Sequence, residues 1–131
     1  MSNLLELTIQ YQDGRKEQVG FACRRLYNAG YAGRDQEQVR SHIQELAEMG
    51  VPAPGVTPTL FPLSARLLST AGVAQVQCAD TSGEVEYVLL MQDGRIYLTV
   101  GSDHSDRALE NFSVAKAKQV CPDVIAGTVW L

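Results

Sequence analysis

Residues 5–11 alternate apolar and polar positions, Leu5-Glu6-Leu7-Thr8-Ile9-Gln10-Tyr11, which is the period of a half-buried strand. Gln12-Asp13-Gly14-Arg15 follows, and Asp-Gly between strands marks a tight hairpin, with the return strand over 17–23. Residues 26–33 are glycine-rich and aperiodic, which predicts an irregular segment. Helical spacing then takes over. Asp35 is placed as an N-cap, Gln38 completes a capping-box pattern, and Val39, Ile43, Leu46 and Ala47 form one apolar stripe over 36–49. Gly50 is the expected C-cap, and Pro52 bars continuation. Four of the five prolines fall between 51 and 62, predicting a stiff extended run. Residues 60–68 fit neither period. Residues 72–79 and 84–91 predict strands joined by a polar turn over 80–83. A second Gln-Asp-Gly-Arg at 92–95 predicts another hairpin, with its return strand over 95–100. The flanks of the two tetrapeptides differ, so shared turn chemistry explains them better than a repeat. Residues 105–120 predict a mainly helical stretch stopped by Pro122, and the apolar residues 124–131 a last strand.

Composition narrows the class without fixing the function. A chain of 131 residues is one domain, with enough length for a single core. Its net charge of −4 disfavours nucleic acid, whose phosphates need a basic surface. No apolar run reaches the roughly 20 residues of a membrane span. Met1-Ser2-Asn3 runs straight into a strand with no basic or apolar leader, which implies a cytoplasmic protein. Cys23, Cys78 and Cys121 are odd in number and widely spaced, which suits reduced, structural thiols.

Candidate chemistry concentrates in two places. Glu84 and Glu86 are two apart on a predicted strand and therefore share a face. With Asp103 they offer three hard oxygen donors of the kind Mg2+ or Mn2+ accepts. They also fit the solvent face of an edge strand, in which case Val85, Tyr87 and Leu89 are the buried set. His42 and Glu45 are three apart on the helix and so are surface neighbours. A carboxylate beside an imidazole suits a general base, and a weak surface pair has the same spacing. Lys116 or Lys118 fits stabilisation of an oxyanion or a solvated helix end. Arg107 fits a clamp on a substrate carboxylate or a structural partner for Asp103, Asp106 or Glu110.

The order of these motifs resembles the fumarylacetoacetate hydrolase superfamily, and looks closest to an uncharacterised bacterial branch of it. Gly30-Tyr31-Ala32-Gly33-Arg34 resembles that superfamily's Gly-Tyr-His-Gly-Arg segment, with Ala32 where the histidine stands. His42-Ile43-Gln44-Glu45 resembles its His-x-x-Glu pair, followed by a proline-rich run and Leu60-Phe61. Gly83-Glu84-Val85-Glu86 resembles its Glu-x-Glu strand. Ser102-Asp103-His104-Ser105-Asp106-Arg107-Ala108-Leu109-Glu110 aligns without gaps on its Asn-Asp-x-Ser-Ala-Arg-Asp-Leu-Gln segment. Ala117-Lys118-Gln119 fits its lysine segment, with Lys116 as the other register.

The resemblance implies an α+β, mainly β fold, a mixed β-sandwich roll with one helix in the N-terminal half. Residues 1–25 would form an N-terminal hairpin and 26–131 the hydrolase-like region; its relatives continue past the equivalent of Leu131, so the region would be either a short form or a fragment incomplete at its C-terminal side. Glu84, Glu86 and Asp103 would hold Mg2+ or Mn2+. His42, Glu45 and Lys118 would be catalytic, and Arg107, Glu110 and Tyr31 would contact substrate. The implied reaction is C–C hydrolysis, decarboxylation, dehydration or isomerisation of a small oxo-acid through a metal-bound enolate, in a homodimer. The competing expectation is a non-catalytic or vestigial binding module of the same fold.

Overall fold

A computed structural model describes residues 3–131. Met1 and Ser2, which enter the expectation of a leaderless N-terminus, lie outside the described residues. Strands β1 (Asn3–Gln10) and β2 (Lys16–Cys23) form the expected hairpin. At its turn Gly14 takes a φ of +88°, a conformation that glycine adopts without a Cβ penalty. β3 (Leu26–Gly30) pairs antiparallel with β4 (Thr59–Leu63) as a separate two-stranded sheet. Between them stands α1 (Gln36–Glu48). Its N-cap is Asp35, whose carboxylate accepts from the Glu37 and Gln38 amides, and Gly50 follows it at φ +89°.

The remaining strands join β1 and β2 in a seven-stranded mixed sheet. These are β5 (Leu68–Ser69), β6 (Thr81–Gln92), β7 (Arg95–Asp106), β8 (Asp123–Ile125) and β9 (Thr128–Trp130). Two short helices, α2 (Arg107–Glu110) and α3 (Val114–Gln119), connect β7 to β8. β9 runs parallel to β1 and antiparallel to β7, so the N-terminal hairpin shares one core with the rest. Leu7, Ile9, Leu90, Tyr97 and Val129 are at its centre. Thr99, fully buried, donates its hydroxyl to the Thr128 carbonyl at 2.8 Å. The free edges of β2 and β6 come within reach of one side chain. Gln92 of β6 bridges them with its amide, donating to the Gly20 carbonyl at 2.9 Å and accepting from the Ala22 N–H at 3.0 Å. One side chain thus makes the two bonds a neighbouring strand would make.

Several expectations are corrected. Residues 72–79 form no strand: Gly72 has a φ of +71°, Val73 and Val76 are exposed, and the segment pairs with nothing. The polar residues 81–83 belong to β6 instead of a turn. Residues 26–30 are a strand and not irregular, because pairing with β4 overrides their glycine content. The stretch 105–120 begins as strand, since Thr81 and Ser82 hold Asp106 and Ser105 in the ladder, and its helix is broken in two. On α1 only Val39 is buried, while Ala47 is exposed. The two Asp-Gly turns also differ. At the second, both Asp93 and Gly94 have positive φ, 52° and 73°, the pattern of a two-residue primed turn.

A cleft lined by one row of carboxylates

The β6–β7 hairpin sets the site through its register. Glu84 lies directly opposite Asp103, and Glu86 opposite Gly101. All four therefore share one face, and that face looks into a cleft of about 1590 Å³ between β6, β3 and α1. The alternative burial, with Val85, Tyr87 and Leu89 inward, does not occur: Val85 and Tyr87 are 86% and 75% exposed. The next strand extends the row. β8 pairs with β7 through Gly101–Ile125 and Ser102–Val124, and one further rung sets Asp123 beside Asp103. Three adjacent strands thus contribute Glu84, Asp103 and Asp123 to one line, with Glu86 one rung away. Like charges directly opposite destabilise a sheet, so this row needs positive partners.

Two such partners are present. Lys118, buried on α3, is paired with Asp103 Oδ2, and its ammonium lies 5.6 Å from the Phe61 ring centroid. Asn28 of β3 donates to Asp103 Oδ1 at 2.7 Å. Lys116 is exposed and rests over Phe112, so Lys118 is the lysine that enters the cleft. Arg107 is the second cation. Its Nε donates to Ser82 Oγ at 2.6 Å, and its fork reaches Glu110 at 3.0 Å and Glu84 at 3.5 Å. Arg107 therefore ties the Glu84 and Glu110 carboxylates to the rim.

Asp123 is left short. It is 5% exposed, and among the described residues its Oδ1 has no hydrogen-bond partner. Burial, then the charge on Asp103, pushes its carboxyl up to about 7. Burial, then Asp103, also raises Glu86. An unsatisfied buried carboxylate costs free energy unless it is protonated or meets a cation.

The rim residues are less tightly assembled. His42 lines the cleft, with its ring centroid 6.3 Å from that of Tyr31. Tyr31 has a φ of 57°, rare for an aromatic residue and worth noting beside a cleft. Burial, then Glu110 and Glu84, raises its phenol, which keeps it a proton donor. Glu45 is exposed and lies outside the cleft lining. Among the described residues no hydrogen bond links it to His42. The thiols of Cys23 and Cys121 are buried and pushed up, first by burial, so neither is activated.

Asp123 and Asn28 were not legible as site residues. Asp123 reaches the row only through the non-local β7–β8 pairing, and Asn28 sits on a strand concealed by glycines.

Among the described residues, no three His, Cys, Asp or Glu side chains are already drawn together as a metal cage. Lys118 engages Asp103, and Arg107 draws Glu84 outward. The donor set nonetheless fits a hard divalent cation. It is all carboxylate oxygen, it carries more negative than positive charge, and one buried oxygen is unpartnered. Glu86, Asp103 and Asp123 are the residues that could hold such an ion.

The fold and site define a mainly β protein with an acid-lined cleft beneath one helix. Residues 29–131 match the family described as Protein of unknown function (DUF2848), and the chain belongs to that family. No curated protein and no solved structure matches it. No helix among the described residues is long and apolar enough to cross a membrane.

Proposed function

We propose that this chain is a divalent-metal-dependent hydrolase or lyase acting on a small oxo-acid, with the roll architecture of the fumarylacetoacetate hydrolase type. The observation that carries the proposal is the row of carboxylates across β6, β7 and β8, held by one buried ammonium and leaving the Asp123 Oδ1 unsatisfied. A protein gains nothing in stability from such a row, and clustered, perturbed acids in a cleft mark functional sites. Glu86, Asp103 and Asp123 would hold Mg2+ or Mn2+. Glu84 would join by leaving Arg107. When bound, the ion would supply Lewis-acid polarisation of adjacent carbonyl and carboxylate oxygens.

The chain's own groups then have distinct tasks. Lys118, released from Asp103, would donate to the oxygen on which negative charge develops. His42 at the rim would move a proton to or from carbon or water. The Tyr31 phenol would donate a hydrogen bond to substrate, and Arg107 would neutralise its carboxylate beside Glu110. Calorimetric titration with Mn2+, without and with oxalate, tests this. Saturable binding tightened by oxalate is expected. No heat and no thermal stabilisation at millimolar metal would sink it.

One observation favours a second function, a binding module without turnover. The cleft, at about 1590 Å³, exceeds the roughly 300–1,000 Å³ usual for a small-molecule site. Metal binding without turnover of any 2-oxo or 3-oxo acid would select that alternative.

A further inference from the structure

A second, smaller cavity of about 320 Å³ opens beside the acidic cleft, at the small end of ligand pockets. One wall is the proline-rich run, through Pro52, Pro54 and Val56, and the other is the first turn of α3, through Val114 and Ala115. The prolines stiffen the first wall, because each ring locks its own φ. Tyr31, Phe61 and Val114 line both cavities, so the smaller is a side chamber of the larger. The two join close to the buried ion pair, since the Phe61 ring centroid lies 5.6 Å from the Lys118 ammonium. Gly30 makes room for that ring: a Cβ on Gly30 would lie 2.7 Å from Phe61 Cε2.

The chambers differ in chemistry. Carboxylates, Arg107 and Lys118 line the cleft, whereas among the described residues no charged side chain lines the side chamber. Its hydroxyls are also engaged. Thr59 donates to the Val56 carbonyl, and Ser113 Oγ accepts from the Lys116 amide at 3.2 Å. A charged group entering would lose water and gain no partner, while an apolar group would be driven in by its own dehydration. We infer that the side chamber takes the apolar tail of the substrate, so that the oxo-acid carries an aliphatic or aromatic side chain in place of a second carboxylate. The assignment rests on the metal-dependent reading of the cleft, with the charged head on the carboxylate row and the tail passing Phe61. Ala115 then sets specificity: it lines the side chamber and not the cleft, and a larger residue there shortens the tail that fits.

Calorimetry on the Mn2+-loaded chain tests this with oxalate, pyruvate, 2-oxobutanoate, 2-oxohexanoate and 2-oxoglutarate. Affinity should rise along the aliphatic series by up to about 4-fold for each methylene buried, and 2-oxoglutarate should bind no tighter than pyruvate. Ala115→Trp, at an exposed position, should abolish the gain with chain length and leave oxalate affinity unchanged. A flat series beside firm oxalate binding overturns the side chamber and leaves the metal site standing. So does a preference for 2-oxoglutarate over 2-oxohexanoate, or a gain that survives Ala115→Trp. The wild-type series needs no variant, so misfolding of Ala115→Trp leaves it decisive. A second arm needs no metal: hexanol is titrated into the metal-free chain while the methyl signals of Val56, Val114 and Ala115 are followed by NMR. Saturable shifts at these three are expected. If neither Mn2+ nor oxalate binds, the metal-dependent reading falls and this arm decides the chamber alone. Shifts confined there keep it as an apolar-ligand site. No saturation, or shifts at the exposed Val85 and Leu89 instead, overturn it.

Discussion

Lys118 and Asp103, fifteen residues apart in sequence, form a buried ion pair beneath the cleft. The pair sits where strand β7 and helix α3 pack together, and Asn28 caps the other Asp103 oxygen. Removing one member of such a pair strands the other charge in a poorly solvated place. Lys118→Met is therefore expected to cost about 3–5 kcal/mol in urea denaturation with chelator present. The double variant with Asp103→Asn should cost clearly less than the sum of the single changes. Additive losses would mean that the two groups do not depend on each other.

The pH dependence of the metal-free protein follows from Asp123. Its folded value is about 7 against an ordinary 3.8, so the folded chain holds a proton that the unfolded chain releases. Below about pH 4 both states are protonated and the group is neutral in effect. Between about 4 and 7 the folded state binds more protons, so stability falls as pH rises. Glu86, also raised, adds the same sign. Melting temperatures at pH 5 and pH 8 should show this loss, and Asp123→Asn should reduce it. An equal loss in wild type and variant would remove Asp123 as its source.

Local signals were enough for the parts of the fold that are set locally. Asp35 and Gly50 bounded α1, and Asp-Gly marked both hairpins, because caps and tight turns are decided by one or two residues. The face of β6 was legible only as a choice. Alternation gives the two faces and not which one is inward, and here Glu84 and Glu86 face in on the side where Lys118, Asn28 and Arg107 supply partners for the acids, groups that come from distant parts of the chain. Residues 72–79 carried a strand's composition but have no partner strand, and composition alone does not make a ladder.

Gly101 shows how tightly the row is packed. It faces Glu86 across the ladder, and a Cβ there would lie 2.8 Å from Ile125 Cγ2 and 3.0 Å from the Val124 carbonyl. The carbonyl is backbone and cannot turn away. Gly101→Ala is expected to lower unfolding free energy by about 1–3 kcal/mol. Gly127→Ala, where a Cβ meets nothing within 4 Å, serves as control. Equal stability of the two variants would show that β8 shifts freely against β7.

His42 and Glu45 are separable by kinetics. His42 lines the cleft beside Tyr31, while Glu45 is exposed outside its lining. With a turned-over oxo-acid in hand, His42→Ala should lower kcat by about 100-fold or more while leaving Mn2+ affinity unchanged. Glu45→Gln should change kcat less than about 3-fold, in line with an exposed carboxylate. A large loss in Glu45→Gln would mean that α1 rotates on substrate binding and forms the dyad then.

The cation affinities of two acid variants decide which oxygens matter most. Glu84 is half exposed and already neutralised by Arg107 at 3.5 Å, so a cation gains little from it until that contact breaks. Asp123 is buried, and its Oδ1 is unpartnered, so a cation relieves its penalty at once. Asp123→Asn is expected to weaken Mn2+ binding at least about 100-fold, more than the 10- to 100-fold that loss of an outer-shell partner brings. Glu84→Gln should weaken it by less than about 10-fold. The reverse ranking would mean that Glu84 leaves Arg107 to bind the ion and that Asp123 stays protonated beside it. Titrations at pH 6 and pH 8 separate these cases further. If Asp123 must lose a proton to bind, wild-type affinity rises between the two pH values, and the Asp123→Asn variant loses that rise.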